Sequence, residues 1–179
     1  MRRRTLLTAG AALVAGFAVY GKDQPASAGG KTPASHPKTS QPARAAVIAV
    51  RYAAAQAGKP YLYGGTGPDA FDCSGLMMMA YRTAGINIAR TSQAQWSTET
   101  RVPASQVQPG DLVFFAGADG TVTDPGHVGL VIGGGKMIEA YATGFPIRVA
   151  TYTNRDPIGF TRPWANASTS QTVSATASS

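Results

Sequence analysis

Cysteine occurs once in this 179-residue chain, at Cys73, and histidine twice, at His36 and His127. A lone cysteine excludes an internal disulfide. So few soft donors also argue against zinc, since a structural site takes four side-chain ligands and a catalytic site usually three. Neither a metal nor a cofactor is expected. Charge is sparse at 14% of residues, with 9 acids against 16 bases. Part of the resulting +7 sits in Arg2, Arg3 and Arg4. No basic stripe follows, so nucleic-acid binding is not expected. No apolar run reaches the ~20 residues that cross a bilayer comfortably, and no repeat is visible.

What is present at the N-terminus reads as an address rather than as fold. The arginines precede a short apolar run, Leu6 to Val19, and Ala26-Ser27-Ala28 offers a small-x-small cleavage site. Together these read as an export signal over residues 1–28, removed from the mature chain. The arginines before Thr5-Leu6-Leu7 suit the twin-arginine route. An uncleaved membrane anchor is the alternative, and the N-terminal residue of the secreted protein separates the two. Cleavage would remove Arg2, Arg3, Arg4, Lys22 and Asp23, leaving a net charge of +4. That excess suits weak attraction to an anionic surface. An unpaired thiol in an exported chain stands out as reactive.

Residues 29–43 are mostly Gly, Lys, Ser, Thr, Pro and Gln without apolar periodicity, which predicts a flexible spacer. His36 lies there between Ser35 and Pro37 and is discounted as a ligand. Residues 165–179 are mostly Ser, Thr, Ala and Asn, a composition that predicts a disordered tail. One domain of ordinary size is left, residues 44–164, and it is expected to be a monomer.

Within it, the alanine-rich stretch 45–57 predicts a helix ended by Gly58. A turn-rich loop, residues 59–65, follows. Asp72 is a good N-cap, after which Cys73, Leu76, Met77, Ala80 and Ala84 recur at helical spacing up to Gly85. Met77-Met78-Met79 reads as core packing rather than a metal box. A short helix is expected over 92–98. The period then changes. Residues 111–116, 127–132, 136–141, 147–152 and 158–162 read as strands with short connections. Helices followed by strands predict an α+β fold with an antiparallel sheet. Gly133-Gly134-Gly135 lacks the Lys-Ser/Thr of a phosphate loop and reads as a hairpin turn.

Cys73 is predicted at the start of its helix, where the helix dipole favours a thiolate. It shares the Leu76/Met77/Ala80 stripe, so its sulfur is expected to face the sheet. If the three glycines form a three-residue loop, Ile132 pairs with Lys136, Gly129 with Glu139 and His127 with Tyr141. His127 and Glu139 then become diagonal neighbours on one face, ~7–8 Å apart and within bridging reach. A loop of even length would turn Glu139 to the other face. Cys73, His127 and Glu139 in one place would suit nucleophilic catalysis: a thiolate, a proton-carrying imidazole, and a carboxylate that orients the ring. Cys73 also reads as a buried structural thiol, His127 as a core histidine and Glu139 as a surface carboxylate.

The chain resembles the NlpC family of bacterial cell-wall cysteine peptidases. The matching pieces, in family order, are Tyr61-Leu-Tyr-Gly-Gly65, Phe71-Asp-Cys-Ser-Gly-Leu76, Arg90-Thr-Ser-Gln-Ala-Gln95, Pro109-Gly-Asp-Leu-Val-Phe-Phe115, His127-Val-Gly-Leu-Val-Ile-Gly133 and Lys136-Met-Ile-Glu-Ala140. The resemblance implies a circularly permuted papain-like fold and hydrolysis of peptidoglycan stem peptides outside the cell. It maps the nucleophile to Cys73, the base to His127 and the third polar residue to Glu139. A carboxylate at the third position is similar to the subgroup of actinobacterial wall endopeptidases, where His, Asn or Gln is frequent elsewhere. It further implies that Tyr63, Asp72, Ser74, Arg90 and Ser92 line the cleft. Asp72 as a plain cap and Arg90 as a plain ion-pair partner are the structural alternatives. The implied bond joins D-glutamate, through its γ-carboxyl, to a diamino acid. An N-acetylmuramoyl-L-alanine amidase or acyltransferase using the same Cys/His pair, and an inactive wall-binding domain, are the competing readings.

Overall fold

The computed structural model describes residues 41–168. The expected export signal, His36 and residues 169–179 of the expected tail lie outside the described residues. Helix α1 spans Gln41–Ala55, so the last three residues of the expected spacer belong to it. Pro42 explains this early start, because a proline is pre-organised for the first helical turn and its missing N–H costs nothing there. Ala45, Ala46, Ala49 and Ala53 form the buried face of α1. Their small size lets it lie close to helix α2, Cys73–Thr83. Val47 and Ile48 face outward instead.

Helix α2 buries Leu76, Met77, Ala80 and Tyr81 completely. Each large side chain among these contributes about 1.5–3 kcal/mol by leaving water. Met77 is core and Met78 and Met79 pack against it, as the packing reading of the methionine run expects. Tyr81 has no place in the expected stripe, yet it is fully buried, with its hydroxyl donating to the Gly110 carbonyl. Helix α3, Ser92–Thr98, begins at an N-cap, Thr91, whose Oγ1 accepts from the Ala94 N–H.

The strands are β1 (Arg101–Val102), β2 (Leu112–Phe115), β3 (His127–Gly133), β4 (Lys136–Glu139), β5 (Arg148–Thr151) and β6 (Gly159–Thr161). They form one antiparallel six-stranded sheet in the order β1-β6-β2-β3-β4-β5. The α+β class is therefore as expected, while β1 has no counterpart among the expected strands. Residues 163–168, partly within the expected tail, form a 3-10 turn. Alternation divides the sheet. Leu112, Phe114, Val128, Leu130 and Ile138 pack beneath the helices. Val113, Phe115, Val131, Met137 and Phe160 form a second cluster on the opposite face.

Asp111 ties the last strand to the centre. It is wholly buried and receives Arg162 through Nε at 2.7 Å and Nη2 at 2.8 Å. Among the described residues, no helix is long and apolar enough to cross a membrane.

Candidate active site

Asp72 builds the platform for Cys73. Its Oδ1 accepts the Gly75 N–H at 2.6 Å, capping α2, and its Oδ2 accepts the Gly64 N–H at 2.9 Å. Arg90 adds a two-point pair, Nη1 to Oδ1 and Nη2 to Oδ2, and Nη1 also reaches Ser74 Oγ at 3.0 Å. The hydrogen bond it donates to Asp72 holds the Arg90 pKa above its ordinary value against the lowering effect of burial. A carboxylate offers about four acceptor sites, and protein donors fill those of Asp72. Asp72 thus makes both the helix cap and the ion pair with Arg90, the structural alternatives to a place in the cleft.

Gly75 explains the third position of Cys-Ser-Gly. A Cβ there would stand 2.2 Å from the Gly65 carbonyl oxygen. The loop carrying Gly64 and Gly65 therefore rests directly on the first turn of α2. Gln95, fully buried, pins that turn from α3, donating from Nε2 to the Ser74 carbonyl at 3.0 Å and to that of Ala89 at 2.8 Å.

His127 is the first residue of β3 and Glu139 the last of β4. The turn between the strands is not the expected three-residue loop. Gly133 pairs with Lys136, so Gly134 and Gly135 alone form the turn, with φ values of 60° and 70°. Two successive positive φ angles suit a tight two-residue hairpin. An even turn should have reversed Glu139, but a bulge between Val131 and Gly133 restores the phase. Beyond it, Val131 pairs with Met137 and Leu130 with Ile138, in the expected register. His127 and Glu139 consequently share a face, that of Val131 and Met137. Gly129 has no room for a side chain: a Cβ there would lie 2.5 Å from Met137 Sδ.

The contact itself is direct. His127 Nε2 and Glu139 Oε2 are 2.8 Å apart, with the carboxylate wholly buried. This leaves Nδ1 free of the carboxylate, and Cys73 is close enough to help raise the ring's pKa. Cys73 Sγ lies 4.0 Å from the carbonyl oxygen of Gly126, the residue before His127. Phe115 and Tyr141 flank the imidazole, with centroids 5.8 Å and 5.7 Å away. Burial lowers the His127 pKa, but the hydrogen bonds and charges of Cys73 and Glu139 outweigh it, and the net shift is upward. Burial likewise pushes Glu139 up, while His127 and Arg155 pull it down further, to about 2.

Two arginines absent from the expected site complete the Glu139 environment. Arg155 Nη1 reaches Oε2 at 2.7 Å, and Arg148 reaches Oε1 through Nε at 3.2 Å and Nη2 at 3.1 Å. Arg148 sits directly opposite Glu139 across β4 and β5.

A cleft of about 570 Å³ holds Cys73 and His127 together with Tyr61, Phe115, Tyr141 and Arg155. The structure gathers Asp72, Ser74 and Arg90 beside Cys73. Tyr63 is 87% exposed; Tyr61 lines the cleft, while Tyr63, Asp72, Ser74, Arg90 and Ser92 lie outside its lining. Ser92 is buried at the start of α3, with Oγ directed at Gln93 Oε1. Burial, then the charges of Cys73 and Asp72, raise the Tyr61 pKa, so its hydroxyl stays a protonated donor in the cleft.

Comparison with known proteins points to one family. Residues 58–159 match the model of the NlpC/P60 family. A probable endopeptidase p60 of Listeria monocytogenes is 47% identical over 87 residues, 49% of this chain and 17% of that protein. A probable endopeptidase of Mycobacterium tuberculosis is 39% identical over 109 residues, 61% of this chain and 27% of that protein. The chain thus matches a minor part of the length of either relative. Among solved structures, the NlpC/p60 domain of the peptidoglycan hydrolase SagA superimposes with a TM-score of 0.57 at 31% identity, covering 65% of this chain and 97% of that one. The peptidoglycan hydrolase RipB of Mycobacterium tuberculosis gives 0.59 at 29% identity, covering 68% and 66%. This protein belongs to the NlpC/P60 family.

Proposed function

We propose that this protein is a cysteine endopeptidase that cuts peptidoglycan stem peptides, at the bond between the γ-carboxyl of D-glutamate and a diamino acid. The observation that carries this reading is the connected set Cys73, His127 and Glu139 at the cleft, with one imidazole nitrogen committed to a buried carboxylate and the other free for the thiol. In the proposed cycle the Cys73 thiolate attacks the carbonyl carbon. The Cys73 N–H, at the helix start, faces the developing oxyanion. As the intermediate collapses, the C–N bond breaks and His127 protonates the departing amine. Water, deprotonated by His127, then attacks the thioester, releasing the acid and restoring the thiol. Glu139 holds the ring in one orientation and favours its charged form.

The relatives' names, endopeptidase and peptidoglycan hydrolase, support the substrate class. The export signal read at residues 1–28 supports action outside the cell, at the wall. Attraction to that wall through the mild positive charge weakens with salt, so wall sedimentation is expected to fall as salt rises.

Digestion of purified muropeptides, with products weighed by mass spectrometry, tests the reading. Release of fragments beginning with the diamino acid, lost in Cys73→Ala, supports it. Cleavage only between the lactyl group and L-alanine would make the protein an amidase. Equal inertness of wild type and Cys73→Ala would make it a wall-binding domain.

A further inference from the structure

The wall of the cleft around His127 carries charge that the hydrolytic steps leave unused. Arg155, in the β5–β6 connection, lines the same cavity as Cys73 and His127. Its guanidinium lies over the rings of Phe115 and Tyr141, at 4.9 Å and 5.2 Å. One corner is fixed, Nη1 on Glu139. A guanidinium has five N–H donors, and the side chain is 26% exposed, so the rest of the fork meets the cavity. A planar group already immobilised by two rings and an ion pair loses little further freedom on binding. Its geometry suits two-point recognition of a carboxylate.

Asp156, the next residue, also lines the cavity and has a φ of 50°. A positive φ is uncommon for a residue other than glycine, and such positions concentrate at functional sites. Asp119 lines the cavity from the β2–β3 connection. Among the described residues, neither carboxylate has an ion-pair partner. The wall therefore presents a guanidinium and two carboxylates within one cavity.

The chemistry fixes which part of a substrate meets this wall. His127 hands its proton to the departing amine, so the residue bearing that amine lies against the rings that flank His127. Those rings, Phe115 and Tyr141, are the ones beneath Arg155. The other arginine near Cys73, Arg90, is engaged by Asp72 at the start of α2.

We propose that Arg155 is a specificity-determining residue, receiving a carboxylate of the amino acid released on the amine side of the cut, with Asp119 and Asp156 placed for that amino acid's ammonium group. This rests on the endopeptidase reading above. A diamino acid of the diaminopimelate type offers such a carboxylate at two places, its α-carbon and the end of its side chain.

Three synthetic peptides, L-alanyl-γ-D-glutamyl-diaminopimelate and its two singly amidated forms, separate the possibilities. With the full chain, amidation of the carboxylate that Arg155 receives is expected to lower kcat/KM by about 10- to 100-fold, the range of one charged hydrogen-bonded contact. The position that matters identifies the source. Arg155→Gln is expected to be slower on every peptide, because Glu139 loses a partner, and to show no preference among the three. Arg155→Lys keeps a cation for Glu139 but lacks the fork. It is expected to recover rate while keeping only part of the preference, and it carries the test if Arg155→Gln does not fold. Equal wild-type rates on all three peptides would overturn the proposal with the endopeptidase reading intact. So would a preference unchanged in both variants. Absence of any Cys73-dependent cleavage would overturn the endopeptidase reading, and the proposal with it.

Discussion

Replacing Glu139 by glutamine removes one charge from a site whose stability rests on it. The carboxyl is wholly buried and accepts from His127, Arg148 and Arg155. Its pKa falls from an ordinary 4.5 to about 2, and a depressed carboxyl stabilises the fold in its ionised form. A displacement of that size corresponds to about 3 kcal/mol at neutral pH. The contribution is complete above about pH 4.5 and is lost as pH falls through about 2. Glu139→Gln is therefore expected to unfold with about 3 kcal/mol less stability at pH 7, or roughly 10 °C lower in Tm. Arg148 and Arg155 soften the loss, because both are partly exposed and turn to water. Urea unfolding of both proteins at a series of pH values is the assay, and the gap is expected to close toward acid. A gap that stays constant from pH 7 to pH 3, or that is absent at pH 7, would refute the reasoning. The same variant reports on the ring. His127 keeps its proton above the ordinary 6.5 because Cys73 and Glu139 outweigh burial. Its charged form stabilises the protein below pH 6.5, and that contribution is lost as pH rises through the elevated value. Without the carboxylate, the alkaline limb of the activity profile is expected to move to lower pH.

Further changes probe the supports of the site. Asp72→Ala removes the α2 cap and orphans Arg90, and the cap alone is worth about 1 kcal/mol; urea unfolding should show at least that loss, with kcat/KM falling as Cys73 loses its platform. Gly75→Ala forces a methyl group against the Gly65 carbonyl, an overpacking expected to cost about 1–3 kcal/mol and readable as a lower Tm; wild-type stability would contradict the close contact. Arg162→Leu leaves the buried Asp111 without its pair, a loss of about 3–5 kcal/mol that should be recovered in part by adding Asp111→Asn.

Much of the site was legible because its determinants are local. Asp72 followed by Cys73, Leu76, Met77 and Ala80 is a cap plus a helical period, and α2 begins at Cys73 as that pattern requires. The His127–Glu139 relation was legible through the hairpin, although for a reason the residues alone do not show. The turn is one residue shorter than the three glycines imply, and a bulge returns the missing step. Periodicity has no means of detecting two offsets that cancel. Arg148 and Arg155 were illegible for a different reason. Their approach to Glu139 depends on the paths of the β4–β5 and β5–β6 connections, which carry no repeating pattern. Tyr61 and Tyr63 lie in such a segment too, so nothing local tells which one faces the cleft. The position of β6 between β1 and β2 depends on contacts between chain segments far apart, Asp111 with Arg162 above all.

Because Cys73 is the only cysteine, every thiol modification of this chain belongs to it. Stepwise alkylation, with bound label weighed by intact-mass spectrometry and muropeptide cleavage measured on the same samples, tests the nucleophile most directly. Cleavage is expected to fall in proportion to label and to vanish at one label per chain. A fully labelled chain that still cuts its substrate at the original rate would contradict the account.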